Sequence, residues 1–134
     1  MKKYILFFMV AFLTISGTVL GKSKKNVEVL YFKANLACCM ARACNALQTD
    51  VDSVVQKYFA KENIEFKVIQ LADEANKQLI EKYKAVSQTV VIVKKKGEKE
   101  TVTDVSFIIK DYAMSRNKEK FENELKDKIS ESIK

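Results

Sequence analysis

The hydrophobic pattern of this chain changes period several times between residues 27 and 133, which limits the chain to folds that mix strands with helices. Runs rich in β-branched and aromatic residues predict strands at 27–32, 64–71, 90–93 and 100–105. Stretches with apolar residues three or four positions apart predict helices after the first strand, after the second strand and at the C-terminus. The predicted element order is therefore β-α-β-α-β-β-α, an α/β pattern.

Each predicted helix has one apolar face. Asn35 is the expected N-cap of the first helix and Asn117 that of the last, whereas Asp73 opens the second. The residues predicted to form the apolar faces are Met40, Cys44, Leu47, Val51, Val54, Val55 and Tyr58 in the first helix, Ala75, Leu79, Ile80 and Tyr83 in the second, and Phe121, Leu125, Ile129 and Ile133 in the last.

Three cysteines, Cys38, Cys39 and Cys44, lie within seven positions where the first strand gives way to the first helix. The chain has no histidine, which excludes Ser-His and Cys-His catalytic pairs and imidazole metal sites. Near a helix N-terminus the unpaired N–H groups and the helix dipole favour the thiolate of Cys38 and Cys39, and Arg42 adds to this positive field. These two thiols are therefore the main candidates for chemistry.

Cys44 has two interpretations. Its place on the apolar face favours a small core residue. Alternatively, it resolves a disulfide with Cys38 or Cys39. In a regular helix the Cα atoms of Cys39 and Cys44 are roughly 8 to 9 Å apart, whereas a disulfide tolerates about 7 Å at most. A disulfide to Cys44 therefore requires the first helical turn to unwind, which an oxidising compartment favours.

The N-terminal segment predicts export. Two lysines precede an apolar run at residues 4–15, and small residues suited to cleavage follow at 16–21. We therefore expect a signal peptide at 1–21 and a single domain at 22–134, in a bacterial protein that is periplasmic or secreted. An uncleaved membrane anchor is the alternative, although the run is shorter than the roughly 20 residues of a spanning helix.

The charge pattern of the chain does not predict a nucleic-acid partner. The formal net charge is +7, but the lysines are interleaved with Glu and Asp. The run Lys94–Lys96 is followed by Gly97 and predicts a turn. We expect no nucleic-acid binding, no cofactor and no membrane span after signal cleavage.

The element order, with thiols at the start of the first helix, resembles the thioredoxin-like superfamily. This resemblance implies a central mixed β-sheet of about four strands with helices on both faces. Within the superfamily, the segment Val29–Cys38 and the helix after it are similar to the ArsF-type family. Those chains are exported or membrane-linked, are described as subunits of a nitrophenyl-compound nitroreductase, and occur with arsenic-resistance genes. The resemblance covers most of the domain in element order.

The chain departs from this family pattern at two places. Family members carry a Cys-x-x-Cys pair after the first strand, but here only Cys38 matches, and Ala41 occupies the second position. The superfamily also has a cis-proline in a loop that faces the pair, whereas this chain has no proline and shows Ser87, Gln88 and Thr89 there. A cis bond without proline costs about 2.5 to 4 kcal/mol, so we expect Ser87–Gln88 to be trans. Both departures count against ordinary dithiol catalysis.

Three classes of function fit these residues. In a redox or thiol-transfer protein, Cys38 attacks a disulfide, and Cys39, Cys44 or a partner resolves the product. The partners are then protein thiols or disulfides, or a membrane redox protein. In a soft-ion binder, the three thiolates hold arsenite, Cu(I) or zinc. In an interaction module, the thiols are incidental and the chain serves as an accessory subunit of a reductase. The first class is our expectation, and whether the chain is itself an enzyme stays open.

Overall fold

The structure, a computed structural model, describes residues 26–36 and 38–134, and for Cys38 and Cys39 it describes the backbone alone. The predicted signal peptide, residues 1–21, lies outside the described residues. So does the start of the predicted domain, residues 22–25.

The described part of the chain contains one mixed sheet of four strands. The strands are β1 (Val27–Lys33), β2 (Ile64–Gln70), β3 (Val90–Lys96) and β4 (Lys99–Asp104). Their order across the sheet is β2-β1-β3-β4. β1 runs parallel to β2 and antiparallel to β3, and β4 is antiparallel to β3. This arrangement confirms the prediction of an α/β fold with a central mixed sheet.

Helices cover both faces of the sheet. They are α1 (Cys38–Phe59), α2 (Lys77–Tyr83), α3 (Ser106–Ser115) and α4 (Lys118–Ile133), with a short 3₁₀ turn at Glu74–Asn76 before α2. Helices α1, α3 and α4 contribute to the larger apolar cluster on one face, and α2 packs on the other face. Among the described residues, no helix combines the length and the apolar character needed to cross a bilayer.

The central strand β1 is buried on both faces because its sequence is almost continuously apolar. Val29 and Tyr31 point to the face covered by α1, whereas Leu30 and Phe32 point to the face covered by α2. Each fully buried side chain of this kind contributes about 1.5 to 3 kcal/mol. Burial on both sides therefore fixes β1 in the middle of the sheet.

The apolar face of α1 differs from the prediction at its two ends. Met40 is 62% exposed because it lies in the first turn, before the helix reaches the core. Tyr58 is 37% exposed and Phe59 is buried in its place. Asn35 is not the N-cap, since α1 begins three positions later, at Cys38. The predicted residues in the middle of the helix are buried: Cys44, Leu47, Val51, Val54 and Val55.

The second predicted helix is shorter than expected. Asp73 caps the 3₁₀ turn, where its carboxylate accepts a hydrogen bond from Ala75 N at 3.0 Å. Regular helix starts only at Lys77, and Ala75 is exposed rather than buried. The helix ends at Tyr83, and the C-cap residue Lys84 has a φ of +47°, which stops the right-handed turn.

Helix α3 was not predicted from the sequence, whereas α4 was. The side chain of Asn117 caps α4 by accepting from Lys120 N at 3.0 Å, as predicted. α3 starts one residue after β4, where the side chain of Asp104 accepts a hydrogen bond from Ser106 N at 2.8 Å. The two helices pack through stacked rings of Tyr112 and Phe121, with centroids 4.3 Å apart.

Glu28 joins the three neighbouring strands near the start of β1. Its carboxylate lies 2.7 Å from Lys67 Nζ on β2 and 2.8 Å from Lys95 Nζ on β3. Burial alone raises the pKa of Glu28, but the hydrogen bonds from Lys67 and Lys95 outweigh burial and hold the pKa below its ordinary value of 4.5. The ionised form is thus favoured by folding, so these contacts stabilise the fold above pH 4.5, and the contribution is lost as pH falls through the lower folded-state pKa.

We expect Glu28→Gln to lower the free energy of unfolding at neutral pH by on the order of 1 kcal/mol, because both lysines are partly exposed and screened by solvent. The difference from the parent protein should vanish as the pH is lowered well below 4.5. Urea unfolding at a series of pH values measures this. Glu98→Gln, in the exposed turn between β3 and β4, is the control. If the free energy of unfolding depended on pH in the same way in the parent and the Glu28 variant, the ionised Glu28 carboxylate would not stabilise the fold.

Candidate functional site

The candidate site lies at the C-terminal end of β1. The chain leaves β1 at Lys33 and enters α1 at Cys38, so Cys38 and Cys39 occupy the first turn of the helix. The first turn carries no acidic residue that would offset the positive end of the helix dipole. Arg42, one turn on, is exposed. The backbone therefore sets both cysteines in a positive local field, as the sequence predicts for a helix start.

The turn Val86–Thr89 runs beside the same end of β1. Phe32 N donates to Thr89 O at 2.8 Å, and Gln88 N donates to Phe32 O at 2.9 Å. Within the turn, Thr89 N donates to Val86 O, and Thr89 Oγ1 accepts from Val86 N, each at 3.0 Å. Ser87, Gln88 and Thr89 therefore lie next to the strand that leads into the cysteines. All peptide bonds among the described residues are trans, which confirms the prediction for Ser87–Gln88.

Gln88 is the residue through which this turn reaches α1. Its φ of +66° is in the left-handed region, which suits the third position of a type II turn. For a residue other than glycine this conformation costs about 1 to 2 kcal/mol. The Gln88 side chain lies across the gap to the helix, and its Nε2 donates to Cys44 Sγ at 3.5 Å.

Cys44 is a buried free thiol with polar neighbours. It is 3% exposed, as its place on the apolar face of α1 predicts, and it forms no disulfide. The hydroxyl of Tyr31 donates to the Cys44 carbonyl at 3.3 Å. Burial, with Cys44 nearby, raises the pKa of Tyr31 far above its ordinary value, so Tyr31 stays a neutral donor. Cys44 is thus the meeting point of β1, α1 and the turn Val86–Thr89.

The start of α1 and the turn Val86–Thr89 each carry an exposed apolar side chain. Met40, directly after Cys39, is 62% exposed, and Val86, at the start of the turn, is 60% exposed.

The soft-ion hypothesis stays a prediction. Among the described side chains no group of three or more Cys, Asp or Glu residues is arranged to hold a metal ion, and the side chains of Cys38 and Cys39 lie outside that search. The third thiol of the predicted set, Cys44, is buried and already accepts a hydrogen bond from Gln88.

Sequence reasoning identified the turn but missed two contacts. Tyr31 lies on the same face of β1 as Val27 and Val29, so the period of two along β1 could have indicated that its hydroxyl points toward α1. The contact from Gln88 to Cys44 joins residues 44 positions apart and has no local signal in the sequence.

Comparison with family models gives no match, and none of the curated proteins matches this chain. The chain is similar to a solved structure described as "Structure of a malarial protein", at 25% identity, with 59% of this chain and 80% of the other chain covered. The TM-score of that superposition is 0.39, which carries no argument about fold or function.

We expect Gln88→Ala to raise the rate at which Cys44 is alkylated in the native protein, because the substitution removes the side chain that contacts Cys44 Sγ. The rate is measured with iodoacetamide and peptide mass spectrometry, in a Cys38→Ser, Cys39→Ser background that leaves one thiol.

Gln56→Ala is the matched control. Gln56 is also on α1 and is exposed, but it lies about three turns beyond Cys44, where its amide donates to Asp52 Oδ1 at 3.3 Å. Equal alkylation rates for the two variants would show that Gln88 does not shield Cys44.

Proposed function

We propose that this chain is an exported thioredoxin-like protein with a thiol-disulfide redox or thiol-transfer role centred on Cys38 and Cys39. One observation carries the proposal: adjacent cysteines begin the helix that follows the central strand of a mixed sheet, and the turn Val86–Thr89 is hydrogen-bonded to the same strand end. The helices on both faces of the sheet support the thioredoxin-like assignment.

The proposed chemistry starts with the thiolate of Cys38. The positive end of α1 favours this thiolate, which attacks one sulfur of a partner disulfide. A bond forms between Cys38 and that sulfur, and the partner's other sulfur leaves as a thiolate. The mixed disulfide is then resolved by a second thiol of this chain or is passed to a partner. Ala41 occupies the family's usual resolving position and supplies no thiol there. Transfer of the mixed disulfide to a partner does not need a thiol at that position.

The proposed partners are protein thiols or disulfides, or a membrane redox protein. An exported protein meets an oxidising environment in which such disulfides persist. Met40 and Val86 provide exposed apolar surface on the two elements of the site, which supports contact with a protein substrate rather than a small polar one.

We expect Cys38→Ser to abolish mixed-disulfide formation with oxidised glutathione, and Cys39→Ser to retain it. Intact mass after an acid quench measures both. In the reduced parent protein, the alkylation rate of Cys38 should reach half its maximum below about pH 8.5, the ordinary pKa of a cysteine thiol, because the helix start favours the thiolate.

Two other outcomes would favour one of the other two classes of function. If Cys38→Ser leaves disulfide exchange unchanged and all thiols label slowly in the folded protein, the chain is an interaction module with incidental thiols. If arsenite protects two or three of the thiols from alkylation at one ion per chain, the soft-ion class is correct.

A further inference from the structure

We infer that Cys44 is the resolving thiol of the proposed reaction and that the first turn of α1 must unwind to bring Cys38 to it. This inference rests on the proposed function and adds to it the identity of the second thiol and the conformational step that joins the two.

The helix as it stands keeps the two residues apart. Cys38 and Cys44 both lie within α1, which runs regularly from Cys38 to Phe59. Six residues of helix place their Cα atoms roughly 10 Å apart. A disulfide needs a Cα separation of at most about 7 Å. The bond therefore cannot form while the first turn is helical.

The described side chains before Cys44 in α1 are little buried. Between the cysteines, Met40 and Arg42 are exposed, and Ala41 and Ala43 are only partly buried. Burial in the described part of α1 starts at Cys44, and from Leu47 onward the buried residues belong to the main apolar cluster. Unwinding of residues 40–43 therefore removes little of the buried surface of the described side chains and leaves the rest of the helix attached to the core.

The surroundings of Cys44 differ from those of an ordinary core cysteine. Cys44 is buried but belongs to neither apolar cluster that the described residues form. Its sulfur accepts from the Gln88 amide at 3.5 Å, and its carbonyl accepts from the Tyr31 hydroxyl at 3.3 Å. Cys44 is the first buried residue of the described part of α1. Opening of the helix up to residue 43 is therefore the step that we expect to uncover it.

The reaction balances with the partner disulfide as the oxidant. Cys38 first forms a mixed disulfide and releases one partner thiol. Cys44 then attacks the Cys38 sulfur, the second partner sulfur leaves, and the Cys44 proton ends on that sulfur. The products are the Cys38–Cys44 disulfide and two partner thiols. The partner disulfide is reduced by the electron pair that the two cysteines lose.

The test uses the reduced full chain, oxidised glutathione as the partner disulfide, and intact mass with peptide mapping over time. The parent protein should pass through a glutathione adduct to a Cys38–Cys44 disulfide. Cys44→Ala should stop at the adduct. Amide hydrogen exchange should show loss of protection at residues 41–43 in the disulfide form, because the N–H groups of residues 38–40 have no partner within the helix in either form.

A pair of variants keeps all three thiols and tests the unwinding step itself. Ala43→Gly weakens the turn that must open, so the adduct should resolve about fivefold faster. Ala46→Gly makes the same change beyond Cys44 and should leave the rate unaltered.

The failures of the two proposals are distinguishable. No adduct on Cys38 would overturn the proposed function. An adduct that persists in the parent protein, a mapped Cys38–Cys39 bond, unchanged protection at residues 41–43, or equal acceleration by both glycine variants would overturn this inference alone.

Discussion

The pairing of β1 on both edges, together with its burial on both faces, is the constraint on which the rest of the structure depends. β2 pairs with it in parallel and β3 in antiparallel register, with Tyr31 opposite both Val68 and Val90. A parallel partner requires a crossover connection, and α1 provides it. Because Cys38 and Cys39 are at the start of α1, they lie at the C-terminal end of β1. The antiparallel partner starts at Val90, so the segment before it, Val86–Thr89, must pass the same end.

The site is therefore a consequence of strand register, and its details follow from local chemistry. The backbone bonds between Phe32 and the turn fix where Gln88 lies, and they help to offset the cost of its left-handed conformation. With the backbone so fixed, the Gln88 amide lies against Cys44. The turn that precedes β3 thus also contacts α1, the helix that carries the cysteines. Through this contact the predicted thiol chemistry depends on the conformation of α1.

The sequence predicts the strands well because strand β1 is almost continuously apolar and β2 alternates apolar and polar residues. β3 and β4 extend further into the hairpin than predicted, since Lys96 pairs with Lys99 around a two-residue turn in which Gly97 has a φ of +62°. Lysines at these positions indicate a loop by composition, but the backbone ladder continues through them. The prediction of a hairpin was correct, but the predicted strands were too short at the turn.

Helix α3 was missed because it follows β4 with one residue between them, and its N-cap position is held by Val105, which has no capping side chain. The spacing of Ile108, Ile109 and Tyr112, which are all buried, is helical and could have indicated it. The thiol cluster is a candidate site by residue type and position alone, and it stays a prediction. The role of Gln88 could not, because it depends on tertiary contact between distant parts of the chain.

The most direct measurement of the central claim is the reduction potential of the cysteines, obtained by counting alkylated thiols after equilibration in glutathione redox buffers. A redox site centred on Cys38 predicts a two-electron couple between about −270 and −120 mV, the span of catalytic thiol-disulfide pairs, that is absent in Cys38→Ser. Three free thiols throughout that range, or a couple that persists without Cys38, would contradict it.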